Sequence, residues 1–97
     1  MTSPVTLINV FAVPEGREEE FIKTWNETGE FLKKAPGFID AKLHRSLDSN
    51  ARFQFINVAH WESAEAYKAA ISEHEPKEKH LSWLEANPAL YTIEAQY

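Results

Sequence analysis

One asparagine in this sequence stands where a buried polar side chain needs hydrogen-bond partners. Residues 52–61 have the composition of a strand, and alternation along a strand would place Asn57 on a face with aromatic and small neighbours. Those neighbours are Phe53, Phe55, Ala59 and Trp61. A buried asparagine needs hydrogen-bond partners, which in a pocket are water or a carbonyl or hydroxyl group of a ligand. Asn57 is therefore the first candidate for binding a substrate.

A second polar pair is formed by Asn9 and His80. Asn9 interrupts the otherwise apolar residues 5–13, on the face that would carry their large side chains. His80 lies in a segment after Pro76 whose apolar spacing predicts a helix. Because histidine titrates near neutral pH, His80 is a candidate general base toward a small substrate that Asn9 would help to bind.

The histidines do not form a recognisable metal motif. The four of them are His44, His60, His74 and His80. No spacing among them matches a zinc motif, and the chain has no cysteine to supply thiolate ligands, a thiolate nucleophile or a disulfide. We therefore expect no metal.

Charge and hydropathy exclude two classes of partner. The formal net charge of −5 would repel phosphate backbones, so nucleic acid and anionic membranes are not expected partners. The acids concentrate in residues 15–20 and 73–78, and we interpret the runs at residues 18–20 and 73–78 as solvated helix faces. Residues 1–4 lack the basic and apolar regions of a signal peptide, and no stretch approaches the ~20 apolar residues of a membrane span. The expected location is the cytoplasm.

Hydrophobic spacing divides the chain into alternating strands and helices. Strands are predicted over residues 5–13, 38–47, 52–61 and 90–97. Helices are predicted over residues 17–34, after Ser63 as an N-cap, and from Pro76 to a break at Asn87-Pro88. This order predicts an α+β fold of the ferredoxin-like split βαβ type, with helices on one face of an antiparallel sheet. A chain of 97 residues fits a single domain over residues 1–97.

The sheet face away from the helices would be strongly apolar. Its residues would be Ile8, Val10, Ala12, Ile56 and Val58. Because so large an apolar surface is unfavourable in water, we predict a homodimer in which two sheets pack face to face. His60, on the face opposite Asn57, would lie at that interface.

The element order, the length and two segments are similar to those of the antibiotic biosynthesis monooxygenase family over nearly the whole chain. The segments are the turn Pro36-Gly37-Phe38 and residues 57–67, which read NVAHWESAEAY. The resemblance implies a dimeric α+β barrel with a pocket between sheet and helices in each subunit. Some members of the family are oxygenases that convert anthrones to quinones without a cofactor, others degrade haem, and many have no known activity.

The resemblance to the anthrone oxygenases implies roles for individual residues. Asn57 would bind a phenol or carbonyl oxygen, Trp61 would shape and polarise the pocket, and Tyr67 would bind substrate or relay a proton. Independently of the resemblance, Phe55 on the strand face of Asn57 and Trp25 on the first predicted helix are further candidates for substrate binding. The implied activity is oxidation of a small electron-rich aromatic compound, such as an anthrone, phenol or hydroquinone, by O₂ without a cofactor. As aromatic residues, Trp61 and Tyr67 are also ordinary core contacts, so a purely structural role stays open for them, and it stays equally open for Asn57.

Two other functions remain open. The anthrone oxygenases place an arginine after the second helix, where this chain has only Lys77 and Lys79, and this departure favours a non-catalytic dimeric module that binds a small molecule. Asn9 and His80 match the asparagine and the iron-ligating histidine of the haem-degrading members. Haem binding or degradation is therefore a third hypothesis, although Ala70 stands where those members have a tryptophan, and this departure disfavours haem degradation of their type.

Overall fold

The computed structural model describes residues 3–97. Met1 and Thr2, which belong to the N-terminal segment where no signal peptide is expected, lie outside the described residues. The strands are β1 (Val5–Ala12), β2 (Phe38–Arg45), β3 (Phe55–Trp61) and β4 (Glu85–Tyr91), and the helices are α1 (Glu18–Leu32), α2 (Ala64–Glu73) and a 3₁₀ helix (Lys77–His80). All strand pairs are antiparallel, in the order β2-β3-β1-β4. The predicted α+β fold of ferredoxin-like order is confirmed. No helix in residues 3–97 is long and apolar enough to cross a membrane.

Helix α1 presents one buried stripe to the sheet. Phe21 is fully buried, and Thr24 and Thr28 follow it at intervals of three and four residues. Residues 18–20 are all glutamate and occupy the first turn, where the helix dipole favours negative charge. The apolar spacing of the sequence predicts a buried face without these two threonines. In the structure they are part of it, and they bring hydroxyl groups to the sheet side of the helix.

The turn between α1 and β2 closely approaches the start of α2. Gly37 has a φ of +89°, and a Cβ atom there would lie 2.5 Å from the Cβ of Ala66. The Glu62 N–H donates to the Gly37 carbonyl at 2.8 Å. Ser63 is the N-cap of α2, as predicted, since its Oγ accepts a hydrogen bond from the Ala66 N–H at 3.0 Å. These contacts fix where α2 begins and so position Tyr67 in its first turns.

The core consists of two apolar clusters on the helix side of the sheet. One contains Leu7, Ala59, Trp61 and Ala70, and the other contains Phe11, Phe21 and Phe55. The register of β1 and β3 places Asn9 opposite Asn57, between the rungs that belong to the two clusters. A polar pair therefore interrupts the middle of the apolar face. The structure confirms that Asn57 lies on the face covered by helices.

The opposite sheet face is apolar and partly exposed in the single chain. Its central residues are Ile8, Val10, Ile56 and Val58. His60 lies on the same face, with its Nδ1 2.6 Å from Asp40 Oδ1. The burial of this face, and of His60, between two copies of the chain stays a prediction.

The last strand exists, but its predicted bounds of residues 90–97 are wrong, and so is the prediction of a helix up to Asn87-Pro88. β4 spans Glu85–Tyr91, and the segment after Pro76 forms only the short 3₁₀ helix. β4 is an edge strand, so the N–H group that Pro88 lacks costs little there. Asn87 supplies a donor of its own, because its Nδ2 donates to the Val10 carbonyl at 3.0 Å. Residues 92–97 continue past the last β1–β4 pair and are exposed.

β3 is also shorter than predicted, because it begins at Phe55. Phe53 precedes the strand, and its ring lies under the Arg52 guanidinium at 4.9 Å. Strand alternation therefore does not extend to Phe53, and the face of Asn57 is formed by the later residues alone.

Candidate active site

A cavity of about 90 Å³ lies between the sheet and the helices, over the paired asparagines. Aromatic and aliphatic side chains form most of its wall. The residues that add polar atoms are Asn9, Trp25, Thr28, Asn57, Trp61, Tyr67 and Glu78. An apolar pocket with a few convergent polar groups is the usual form of a small-molecule site.

Asn57 is the polar centre of the cavity floor. The residue is 9% exposed, and its Oδ1 accepts no hydrogen bond from any group in residues 3–97. Burying such an acceptor without a partner costs about 1–3 kcal/mol, so a donor on a bound ligand would recover that free energy. The substrate-binding role of Asn57 stays a prediction.

Trp61 and Tyr67 form one aromatic wall. Trp61 is 1% exposed, and its ring meets the rings of Tyr67 and Phe38 edge to face at 5.7 and 5.3 Å. Burial raises the pKa of the Tyr67 hydroxyl above its usual value of 10.0. Tyr67 therefore keeps its proton at neutral pH and can donate a hydrogen bond to a ligand oxygen.

Glu78 is a site residue that the sequence did not reveal. Its Oε2 accepts a hydrogen bond from the Thr28 hydroxyl at 3.1 Å, while its Oε1 is buried and has no partner in the described part of the chain. Burial raises the pKa of this carboxyl, and the hydrogen bond from Thr28 opposes that effect without cancelling it. A carboxylate with a free lone pair beside an apolar cavity can accept a proton.

The interpretation of residues 73–78 as a solvated acidic run is wrong at Glu78. A usable signal existed in the spacing, because Glu78, Leu81 and Leu84 recur every three residues. That spacing extends the apolar face of the segment back to the glutamate. Because Glu78 lies among several acidic residues, the composition of the segment predicts exposure in spite of this spacing.

Of the other residues predicted to bind substrate, some line the cavity and some do not. Trp25 lines the cavity, and so does Asn9, whose Oδ1 accepts a hydrogen bond from the Asn87 N–H at 2.9 Å. Phe55 is 1% exposed and packs against Phe21 at 5.0 Å, outside the cavity lining. The structure thus brings Trp25 and Asn9 to Asn57 but holds Phe55 in the neighbouring cluster.

His80 lies apart from this group. Its side chain is 73% exposed, its Nε2 is 3.9 Å from Glu75 Oε2, and it does not line the cavity. Its predicted role as a base stays a prediction without support from this geometry. Among residues 3–97, no three His, Asp or Glu side chains are grouped as a metal site would require.

A second hollow of about 360 Å³ adjoins the cavity toward β4. The two share Asn9, Phe11, Tyr67, Ile71, Pro76 and Glu78 in their linings. The inner cavity alone is smaller than the roughly 300 Å³ of a typical ligand site, whereas the adjoining hollow reaches that size. A ligand of several rings would therefore extend from Asn57 past Glu78 into the outer hollow.

Comparison with known proteins gives a family match over most of the chain. A family model described as antibiotic biosynthesis monooxygenase matches residues 4–80. Deoxynogalonate monooxygenase from Streptomyces nogalater is 30% identical over 69 residues, and tetracenomycin-F1 monooxygenase from Streptomyces glaucescens is 35% identical over 65 residues. These matches cover 71% and 66% of this chain but 56% and 55% of the relatives. The chain therefore spans about half the length of the curated relatives it matches.

Solved structures show the same fold over the full length. A protein from Shewanella loihica PV-4 has a TM-score of 0.89 and 36% identity, with 99% of both chains covered. SnoaB, a cofactor-independent oxygenase from Streptomyces nogalater, has a TM-score of 0.79 and 22% identity over 98% of this chain and 97% of its own. A heme-degrading protein from Mycobacterium tuberculosis has a TM-score of 0.68 and 24% identity over 97% and 98%. At the two lower identities the likeness concerns the fold alone.

Proposed function

Because this chain belongs to the antibiotic biosynthesis monooxygenase family, we propose that it is a cofactor-independent monooxygenase that oxidises an electron-rich aromatic compound with O₂. The substrate class is an anthrone, phenol or hydroquinone. One observation carries the proposal: Asn57, whose buried Oδ1 has no partner in residues 3–97, lines an apolar cavity walled by Trp61 and Tyr67. The names of the two curated relatives, both monooxygenases, support the reaction class.

The cavity residues would bind and orient the substrate rather than supply redox chemistry. A substrate hydroxyl would donate to Asn57 Oδ1, and the protonated Tyr67 hydroxyl would donate to a substrate carbonyl or to the oxyanion that it becomes. The aromatic walls would exclude water from the reacting carbon. An electron-rich anthrone that has lost a proton can pass one electron to O₂, recombine to a peroxide and eliminate water.

Incubating the purified protein with dithranol and O₂ tests the proposal. We expect quinone to form faster than by autoxidation in buffer, and we expect Asn57→Ala to lower kcat/KM about 100-fold, the order of effect seen when one oriented polar group is removed from an active site. Asn26→Ala, on the exposed part of α1, is the matched control and should keep the wild-type rate. Quinone formation no faster than in buffer would sink the proposal.

A non-catalytic binding module is a second candidate, favoured by the positions of the nearby cations. Lys77 Nζ lies 3.6 Å from Glu27 Oε2 and Lys79 Nζ lies 4.0 Å from Glu75 Oε1, both at the surface. Among the described residues, no arginine lines the cavity to stabilise an oxyanion. Thermal-shift screening separates the two candidates, because a binding module would return a stabilising ligand chemically unchanged.

A further inference from the structure

Two residues that line one small cavity each bury an acceptor atom without a protein partner in the described part of the chain. The two atoms are Asn57 Oδ1 on β3 and Glu78 Oε1 on the 3₁₀ helix, and no group in residues 3–97 donates a hydrogen bond to either. The flanking lysines, Lys77 and Lys79, direct their amino groups to surface glutamates. The segment therefore offers the inner cavity a carboxylate, whereas Lys79 lines the outer hollow, with its amino group 4.0 Å from Glu75 Oε1.

Thr28 determines which oxygen of Glu78 is available. The Thr28 Oγ1 accepts a hydrogen bond from the Lys77 N–H at 3.0 Å, and it donates its single proton to Glu78 Oε2 at 3.1 Å. Oε2 is thereby held in place, while Oε1 keeps its lone pairs. Thr28 is a positioning residue for this carboxylate, because it orients Glu78 from a helix that lies 50 residues away in sequence.

We propose that Glu78 is the general base of the reaction, with Oε1 taking the proton that the aromatic substrate must lose before it can react with O₂. This inference rests on the proposed function. Glu78 lines both the inner cavity and the outer hollow, so a substrate that extends from Asn57 into the hollow passes beside it. A general base must first lie within reach of the proton that it removes, and only then does the match between its pKa and the working pH matter.

The step balances with O₂ as the only oxidant. For an anthrone, one C–H bond breaks, its proton moves to Oε1, and the electron pair remains on the substrate as an enolate. The enolate passes one electron to O₂, and the radical pair combines to a peroxide anion, which takes the proton back. Glu78 then removes the second C–H proton while the O–O bond breaks, and this proton joins the departing hydroxide. The products are the quinone and water.

The surroundings of Glu78 favour this use of the carboxylate. Burial raises its pKa, which makes its ionised form a stronger base than a surface carboxylate. Tyr67, the titratable group that α2 adds to the cavity, stays protonated, since burial raises its pKa too. On the side of α1, Lys77 faces Glu27, and these opposite charges lie at the surface.

Hydrogen exchange of dithranol in D₂O without oxygen tests the inference directly, because it measures C–H cleavage alone. We expect wild type to accelerate the exchange of the acidic C–H, and Glu78→Gln to reduce it 100-fold or more, the usual range for a lost general base being about 10²–10⁴. Glu75→Gln, an exposed acid just before the same segment, is the matched control and should exchange like wild type. Under O₂, kcat/KM should follow the same order.

Thr28→Val provides a second variant in case Glu78→Gln does not fold. It removes the hydrogen bond that lowers the pKa of Glu78, so the acid limb of the exchange rate should move to higher pH, and Thr28→Ser should restore it. No acceleration by wild type, or equal exchange by Glu78→Gln, overturns the inference. Exchange without quinone formation under O₂ would instead retain Glu78 as a base and reject the monooxygenase, so the two failures are distinguishable.

Discussion

At the scale of single residues, the cavity combines polar atoms with surroundings that do not solvate them. Asn57 and Glu78 each bury one oxygen without a partner in residues 3–97, and Tyr67 is desolvated enough for its pKa to rise. Each feature costs free energy of folding. Polar groups retained at such a cost are candidates for binding or catalysis, because a bound ligand would use them.

The carboxyl of Glu78 should make folding stability depend on pH. Its pKa is raised in the folded state above the ordinary 4.5, so ionisation costs more in the folded chain than in the unfolded chain. The cost is absent when the pH is below the pKa of Glu78 in the unfolded chain, because the carboxyl is then protonated in both states. It grows as the pH rises through the higher pKa of Glu78 in the folded chain. The melting temperature of Glu78→Gln relative to wild type should therefore increase between acidic and neutral pH. Thermal melts at several pH values measure the difference.

Glu75→Gln controls for the loss of a surface carboxylate that does not line the cavity. A melting-temperature difference between Glu78→Gln and wild type that stays constant with pH, or that shrinks as pH rises, would contradict the burial assigned to Glu78.

At the scale of elements, the position of the cavity depends on how the α1–β2 turn meets α2. Gly37 lies between these elements, and the Glu62 N–H is bonded to its carbonyl. α2 in turn carries Tyr67, whose ring contacts Trp61. A change at this turn should therefore shift one wall of the cavity as well as destabilise the fold.

Gly37→Ala should cost more stability than the same change at Gly16. Both glycines have positive φ, at +89° and +91°, so alanine is strained at either position. At Gly37 the new Cβ would also approach Ala66 Cβ to 2.5 Å, whereas at Gly16 no atom lies within 4 Å. We expect losses of about 2–4 kcal/mol at Gly37 and about 1 kcal/mol at Gly16 in urea unfolding. Equal losses would show that the contact with Ala66 is unimportant.

At the scale of the whole molecule, the sheet face opposite the helices bears on how copies of the chain assemble. Ile8, Val10, Ile56 and Val58 form its centre and remain partly exposed in one chain. The helices cover the opposite face, where both core clusters lie. A second copy of the same sheet is the partner that we predicted from the sequence.

Light scattering should give twice the chain mass of 11.1 kDa at micromolar concentration. Val58→Asp should convert the dimer to a monomer, because it would place a charge at the centre of the apolar interface. Ile93→Asp is the control, since Ile93 is 76% exposed and lies beyond β4. A wild-type mass of 11.1 kDa would contradict the predicted dimer.

The sequence by itself determined the order of the elements and the face on which Asn57 lies. Both follow from local periodicity, because alternation along β3 and the 3.6-residue repeat along α1 assign each side chain to a side before any partner is known. The N-cap at Ser63 is equally local, since it bonds an N–H three residues away.

Only the tertiary structure decided the burial of Glu78 and the bounds of β4. The bond from Thr28 to Glu78 joins residues 50 apart, and the bond from Asn87 Nδ2 to the Val10 carbonyl joins residues 77 apart. An acidic side chain within a charged run, such as Glu78, is solvated or buried according to what packs over it. A proline such as Pro88 fits a strand only when that strand lies at the edge of its sheet. Neither condition is visible in local spacing, because it depends on distant residues brought together by folding.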